Sequence, residues 1–226
     1  MIKNKKTYLK IGEGIFLIKD ISDITGLKYQ TVRRWLFEFW NNRFGKEFGE
    51  YSYGDSRNKA INFNTLIEFI VFAKLREEGM SAQKIQKHHV ALSKELKTPF
   101  PFAKSKIHTD GKDLWYELEN ELSKLNGKKQ LSIKKILAPF LKNIEFDEHQ
   151  IAKRYFPLGK KHKVVVDPKH QFGQPTILGT NIKTDVIYSL YKSKESKKNI
   201  CELYNLQIKQ VNDVISYYEN RKKLAA

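Results

Sequence analysis

Ile21-Ser22-Asp23-Ile24-Thr25-Gly26-Leu27-Lys28-Tyr29-Gln30-Thr31-Val32-Arg33-Arg34-Trp35-Leu36 reads as two short helices joined by a tight turn. Apolar residues stand at 21, 24, 27, 32, 35, 36 and 39. Adding 179 to each number lands on Ile200, Leu203, Leu206, Val211, Val214, Ile215 and Tyr218, so the pattern occurs twice. Ser22 maps onto Cys201, small residues where two helices must touch. Gly26 maps onto Asn205, the residue types that end a helix in a left-handed conformation. Both copies have the spelling of a helix-turn-helix.

In the first copy the spacing predicts a helix over 16–25, a turn at 26–28 and a second helix over 29–41. Val32, Trp35, Leu36, Phe39 and Trp40 follow the spacing of one buried face. Gln30, Arg33, Arg34 and Asn41 fall on the opposite face. A helix with a bare polar face fits a DNA major groove about 12 Å wide. Guanidinium forks suit guanine edges and phosphate oxygens. Lys28 takes the cap position without an oxygen to accept a hydrogen bond, and its charge opposes the helix dipole, a conflict that a phosphate relieves. Lys28, Tyr29, Gln30, Thr31, Arg33 and Arg34 are therefore the candidate DNA-binding residues. The plainer alternative is an ordinary solvated face.

The second copy differs on that face. Arg33 and Arg34 are replaced by Asn212 and Asp213. A carboxylate there repels phosphates, so Asn212 and Asp213 are read as partner-binding residues, with Lys209 and Gln210 left as candidate DNA contacts. Lys192, Lys194, Lys197, Lys198 and the basic run 221–223 fit either phosphate contacts or a solvated rim.

Outward from these copies, Tyr51-Ser-Tyr-Gly54-Asp-Ser-Arg57-Asn-Lys59-Ala-Ile-Asn-Phe63 predicts a β-hairpin in the position of a wing. Arg57 and Lys59 at its tip are further candidate DNA contacts. Thr65-Leu-Ile-Glu68 spells a capping box opening a helix to about Glu78. Ser81 caps another helix to about Leu96, and this pair is a candidate dimer contact. Thr98-Pro-Phe-Pro-Phe102 breaks the pattern. Thr109-Asp110-Gly111 suggests a short hairpin over 104–118, and 131–156 reads as one or two short helices interrupted at Pro139. A strand at Val164-Val-Val166 follows, then a Gly/Pro loop and helices over about 184–192, 197–205 and 208–222.

The expected fold is mainly α (α+β). It has a winged helix-turn-helix domain at 1–98, a middle segment at 99–160 and a second helix-turn-helix-like domain at 161–226.

Across 226 residues, 42 Lys and Arg against 25 Asp and Glu leave a net charge of +17. Of that excess, +9 falls on residues 131–226. Such a balance points to a polyanionic partner or an acidic protein surface. One cysteine permits no intrachain disulfide, which suits a reducing cytoplasm. The basic start MIKNKK is followed by no apolar run, so neither a signal peptide nor a membrane span is expected. His88 and His89 are adjacent and face different ways on a helix, and the other histidines are scattered. No phosphate-cradling glycine loop occurs. Neither an enzyme, a metal nor a cofactor is expected.

Val166-Asp-Pro168 followed by Gly173-Gln-Pro-Thr-Ile-Leu-Gly-Thr-Asn-Ile182 resembles the signature of the VapB-type antitoxin family that carries the domain of unknown function 433. Gly14-Ile-Phe-Leu-Ile-Lys-Asp-Ile21 with Thr31-Val-Arg-Arg-Trp35 is similar to the MerR-like winged domain that often precedes it. Pro101-Phe102 and Thr109-Asp110-Gly111 are similar to its middle segment. The family's arginine is Asn181 here, which marks Asn181 as a candidate partner contact. The resemblance implies a dimeric antitoxin that sequesters a PIN-like ribonuclease toxin and represses its own operon. The alternative is a MerR-like transcription regulator with a ligand-sensing C-terminal region and no toxin.

Overall fold

The computed structural model of the chain describes residues 12–44, 51–55, 58–104 and 133–225. It is mixed α+β, with helices and, among the described residues, three small antiparallel sheets. A short strand β1 (Phe16–Leu17) leads into helices α1 (Ile18–Thr25) and α2 (Tyr29–Trp35). Phe16 and Leu17 pair with Ile61 and Ala60, so they form a strand where the periodicity predicted the first helical turn.

Local chemistry fixes the α1–α2 turn. Gly26 sits at φ +75°, and its N–H donates to the Ser22 carbonyl at 2.9 Å. The Ser22 hydroxyl donates to the Leu27 carbonyl at 2.6 Å, so the small polar residue closes the corner. Lys28 is the N-cap of α2 and makes no side-chain cap, as the sequence predicts.

Beyond Trp35 the helix widens into a π-helical stretch, Leu36–Phe44. Its bonds run to the fifth residue. That brings Phe39 and Phe44 toward one side. Trp40 stacks on Phe69 with centroids 4.0 Å apart, and Phe44 stacks on His89 at 4.1 Å.

Strands β2 (Ser52–Tyr53) and β3 (Ala60–Ile61) pair antiparallel, as expected, and β1 adds to β3 to give the order β1-β3-β2. Helix α3 (Phe63–Glu77) starts two residues before the predicted capping box. Asn62 is its cap, accepting from the Thr65 N–H at 2.9 Å. Glu68 is therefore no capping glutamate. It lies fully buried between α3 and α4 (Ala82–Glu95), the latter capped by Ser81.

Helix α5 (Ile133–Leu141) tolerates Pro139 inside it. The next stretch is a hairpin, not a helix: β4 (Ile144–Phe146) pairs with β5 (Ala152–Tyr155), with a register shift after Glu145. The Asp147 carboxylate accepts from the Ile151 N–H, and Gln150 takes φ +61°, which makes a turn where helical spacing was read. The hairpin expected around Asp110 lies outside the described residues.

Tyr155 exchanges backbone bonds with Val166 in both directions, at 3.0 and 2.8 Å, and so joins this hairpin to the C-terminal unit. There β6 (Val164–Val165) pairs with β7 (Thr176–Ile177), and helices α6 (Thr184–Lys192), α7 (Lys197–Tyr204) and α8 (Ile208–Ala225) pack together. Asn205 ends α7 at φ +50°, the counterpart of Gly26.

One hydrophobic core runs from Phe16 through Ala103 to Leu137–Tyr155 and Val166, and a second comprises Val164 to Tyr217. No helix among the described residues is long and apolar enough to cross a membrane.

Candidate nucleic-acid interface

Helix α2 divides as its spacing requires. Val32 and Trp35 are buried, with Trp35 edge-on to Phe72 at 4.9 Å. Lys28, Tyr29, Gln30, Arg33 and Arg34 are exposed, and Thr31 is half-buried. Six of the eight predicted DNA-binding residues thus share one short helix start and its outer face. The Arg33 guanidinium lies over the Phe37 ring, 5.4 Å from its centroid, which steadies the side chain without using its forked donors on a carboxylate. Gln30, Arg33, Arg34, Phe37, Glu38 and Asn42 line a shallow concavity of about 460 Å³ on this face.

The hairpin is anchored beside this helix by the Ser52 hydroxyl, which bonds the Asn41 side chain at 2.6 Å. The Asp55 carboxylate accepts from the Asn58 N–H at 2.9 Å and shapes the tip. Lys59 is half-buried, and Arg57 lies outside the described residues.

The predicted partner-binding residues separate. Asn212 is exposed on α8 and accepts from Lys197 Nζ at 2.8 Å. Asn181 is exposed and bonds His170 Nδ1 at 2.9 Å. Asp213 does not stand on the outer face. It is 7% exposed, accepts from the Lys163 N–H at 2.8 Å and bonds His162 Nδ1 at 2.8 Å. Its carboxylate ties α8 to the residues entering β6, so the reading of Asp213 as a partner contact is corrected to a structural one. The repeat explains the error. Equivalent positions need not face the same neighbour, because strand β6 packs on α8.

Sequence reasoning missed a buried pair. His89 Nε2 lies 2.9 Å from Glu68 Oε2, and Glu68 Oε1 accepts from the Ala103 N–H at 2.9 Å. Burial pushes the Glu68 carboxyl above its ordinary value, and the His89 bond opposes that rise. The pair links α3, α4 and the segment after the Pro-Phe-Pro break. Its only sequence signal is two polar residues inside apolar helical faces.

A second polar group also went unread. Arg154 Nε donates to Asp167 Oδ2 at 2.6 Å, and His170 Nε2 lies 3.9 Å from the same carboxylate. With Thr180 and Asn181 they line a crevice of about 520 Å³. Among the described residues no group of three His, Cys, Asp or Glu is placed to hold a metal ion.

No curated protein matches the chain. The crystal structure of Rv2018 from Mycobacterium tuberculosis is similar in fold, with a TM-score of 0.70 at 16% identity over 92% of this chain and 99% of that one. Residues 164–218 match the family described as protein of unknown function (DUF433).

Proposed function

We propose that this chain is an antitoxin and autorepressor. Its N-terminal part, α1, the Gly26 turn, α2 and the β2–β3 hairpin, serves as a MerR-like winged helix-turn-helix. Its C-terminal unit holds a PIN-like ribonuclease toxin. The observation that carries the DNA-binding half is the pair Arg33 and Arg34, exposed on a helix with a buried opposite face in a chain of net charge +17. The match of residues 164–218 supports the antitoxin half through the family resemblance.

Physics sets the expected behaviour. Arginines at a groove-facing helix contact phosphates and base edges, and affinity falls steeply with salt because counterions leave the DNA. Fluorescence anisotropy on a duplex from the gene's own upstream region measures it. Co-expression with the product of the neighbouring reading frame tests the partner.

One observation favours a second reading, a ligand-sensing regulator without a toxin. A crevice of about 490 Å³ lies between Thr25-Gly26, the end of α3, Pro139, Phe140, Tyr155 and α8. A compound bound there touches the turn that presents α2. Small-molecule-dependent DNA affinity in a chain that binds no neighbouring product selects this reading.

A further inference from the structure

The two arginines on the outer face of α2 each have a neighbour four residues on, where side chains of a helix meet. For Arg33 it is Phe37, and the Arg33 guanidinium lies over that ring. For Arg34 it is Glu38, whose carboxylate can capture a guanidinium. Glu38 is also the one carboxylate among the residues lining the concavity of this face. An arginine bound to it has fewer donors left for a phosphate, and the carboxylate repels the phosphate besides.

The structure keeps the two apart. Glu38 Oε1 pairs with Arg43 Nη2 at 3.6 Å, and Arg34 has no ion-pair partner among the described residues. The π-helical stretch Leu36–Phe44 sets up this exchange. In an α-helix five residues leave positions 38 and 43 about 140° apart around the axis. In a π turn the fifth residue is the one that comes round to the bonded neighbour. Arg43 is held from two further sides. Its Nη1 donates to Gln86 Oε1 of α4 at 2.9 Å, and its guanidinium lies 5.1 Å from the Phe39 ring centroid. Arg43 does not line the concavity. A pair this exposed, with side chains 38% and 45% accessible, adds little to stability. Its consequence lies in where the charges stand.

We propose that Arg43 is a positioning residue for DNA binding: by holding Glu38 across the π turn it leaves the Arg34 guanidinium to a backbone phosphate. This rests on the DNA-binding reading of α2 and deepens it. It adds a residue that the sequence did not single out and that does not itself touch the duplex.

Fluorescence anisotropy of a fluorescein-labelled duplex from the gene's upstream region, titrated with the full chain, tests this through the cost of Arg34→Ala in several backgrounds. In wild type that change is expected to weaken binding about fivefold, the scale of one unit-charge contact in water. Arg43→Met keeps the stem over Phe39 and removes the charge, so Glu38 captures Arg34. That variant is expected to bind about fivefold more weakly, and Arg34→Ala then to cost less than about twofold more, because the two changes remove one interaction. Adding Glu38→Gln to Arg43→Met restores both the affinity and the full cost of Arg34→Ala. Arg43→Lys keeps a cation for Glu38 and binds within about twofold of wild type. All variants melt near the wild-type temperature, and Arg43→Gln repeats the cycle with a second neutral side chain. An Arg34→Ala cost that is the same in every background overturns the proposal while the DNA reading stands. So does a loss in Arg43→Met that Glu38→Gln does not restore, since Arg43 is then a phosphate contact of its own. Melting of both Arg43→Met and Arg43→Gln well below wild type makes Arg43 a structural residue and also overturns it. If wild type shows no salt-dependent binding, or Arg33→Ala/Arg34→Ala binds as well as wild type, the DNA reading fails and the proposal fails with it.

Discussion

Gly173→Ala tests how tightly the N-terminal sheet and the C-terminal loop are fitted together. An added Cβ meets Phe16 Cζ at 2.4 Å, with Cε1 and Cε2 at 3.0 and 3.1 Å. Phe16 has no easy retreat. A Cβ on Gly14 meets the same ring at 2.7 Å, so the ring lies between two glycines, and it is fully buried. The backbone adds its own cost, since φ at position 173 is +89°. Left-handed geometry costs an L-residue roughly 1–2 kcal/mol. Overpacking a fitted core costs roughly 1–3 kcal/mol. Reduced freedom of the unfolded chain returns roughly 0.4–1 kcal/mol. The net expectation is a loss of about 2–4 kcal/mol, which lowers the melting temperature of a chain this size by roughly 4–16 °C. Urea unfolding followed by circular dichroism measures it. Phe16→Leu removes the Cζ atom, so in a double-mutant cycle the two changes should couple by about 1 kcal/mol or more. A loss below about 1 kcal/mol, or no coupling to Phe16, refutes the packing argument.

Asp213→Ala is expected to leave the Lys163 N–H and His162 without their acceptor and cost about 1–3 kcal/mol in denaturant unfolding, with partner affinity otherwise unchanged. A stable variant that has lost only partner binding contradicts the structural role given to this carboxylate. The Glu68 carboxyl is raised by burial, so the folded chain holds its proton at pH values where the unfolded chain has released it. Its contribution is full below the ordinary carboxylate range and declines as pH rises through the folded value. Glu68→Gln, which can still accept from Ala103 and donate to His89, should flatten the stability–pH curve in that window. A curve of unchanged slope argues against the assignment.

Much of the architecture was legible because its signals are local. The shift of 179 residues holds at the turns, where Gly26 and Asn205 both adopt left-handed φ, and at Ile21 and Ile200, Val32 and Val211, all fully buried. It fails at Ile24, 7% exposed, against Leu203, 69% exposed. Ile24 belongs to the larger core and lines the same crevice as Ile70 of α3, and long-range packing of that kind leaves no trace in spacing. The same reason hid β1 and β4–β5. Strands of two to four residues are too short for alternation to stand out, and β1 exists only because β3 pairs with it. The outer face of α2 was readable since amphipathic spacing fixes it. The inward turn of Asp213, the Glu68–His89 pair and the fit of Gly173 against Phe16 depend on residues tens of positions away.

The central claim is that the outer face of α2 contacts duplex DNA. The most direct measurement is fluorescence anisotropy of the upstream duplex with wild type and with Arg33→Ala/Arg34→Ala, across a salt series. The double variant should fold normally, bind about tenfold or more weakly, and lose roughly one to two units of the log–log salt slope. Unchanged affinity and unchanged slope in a folded double variant contradict the claim.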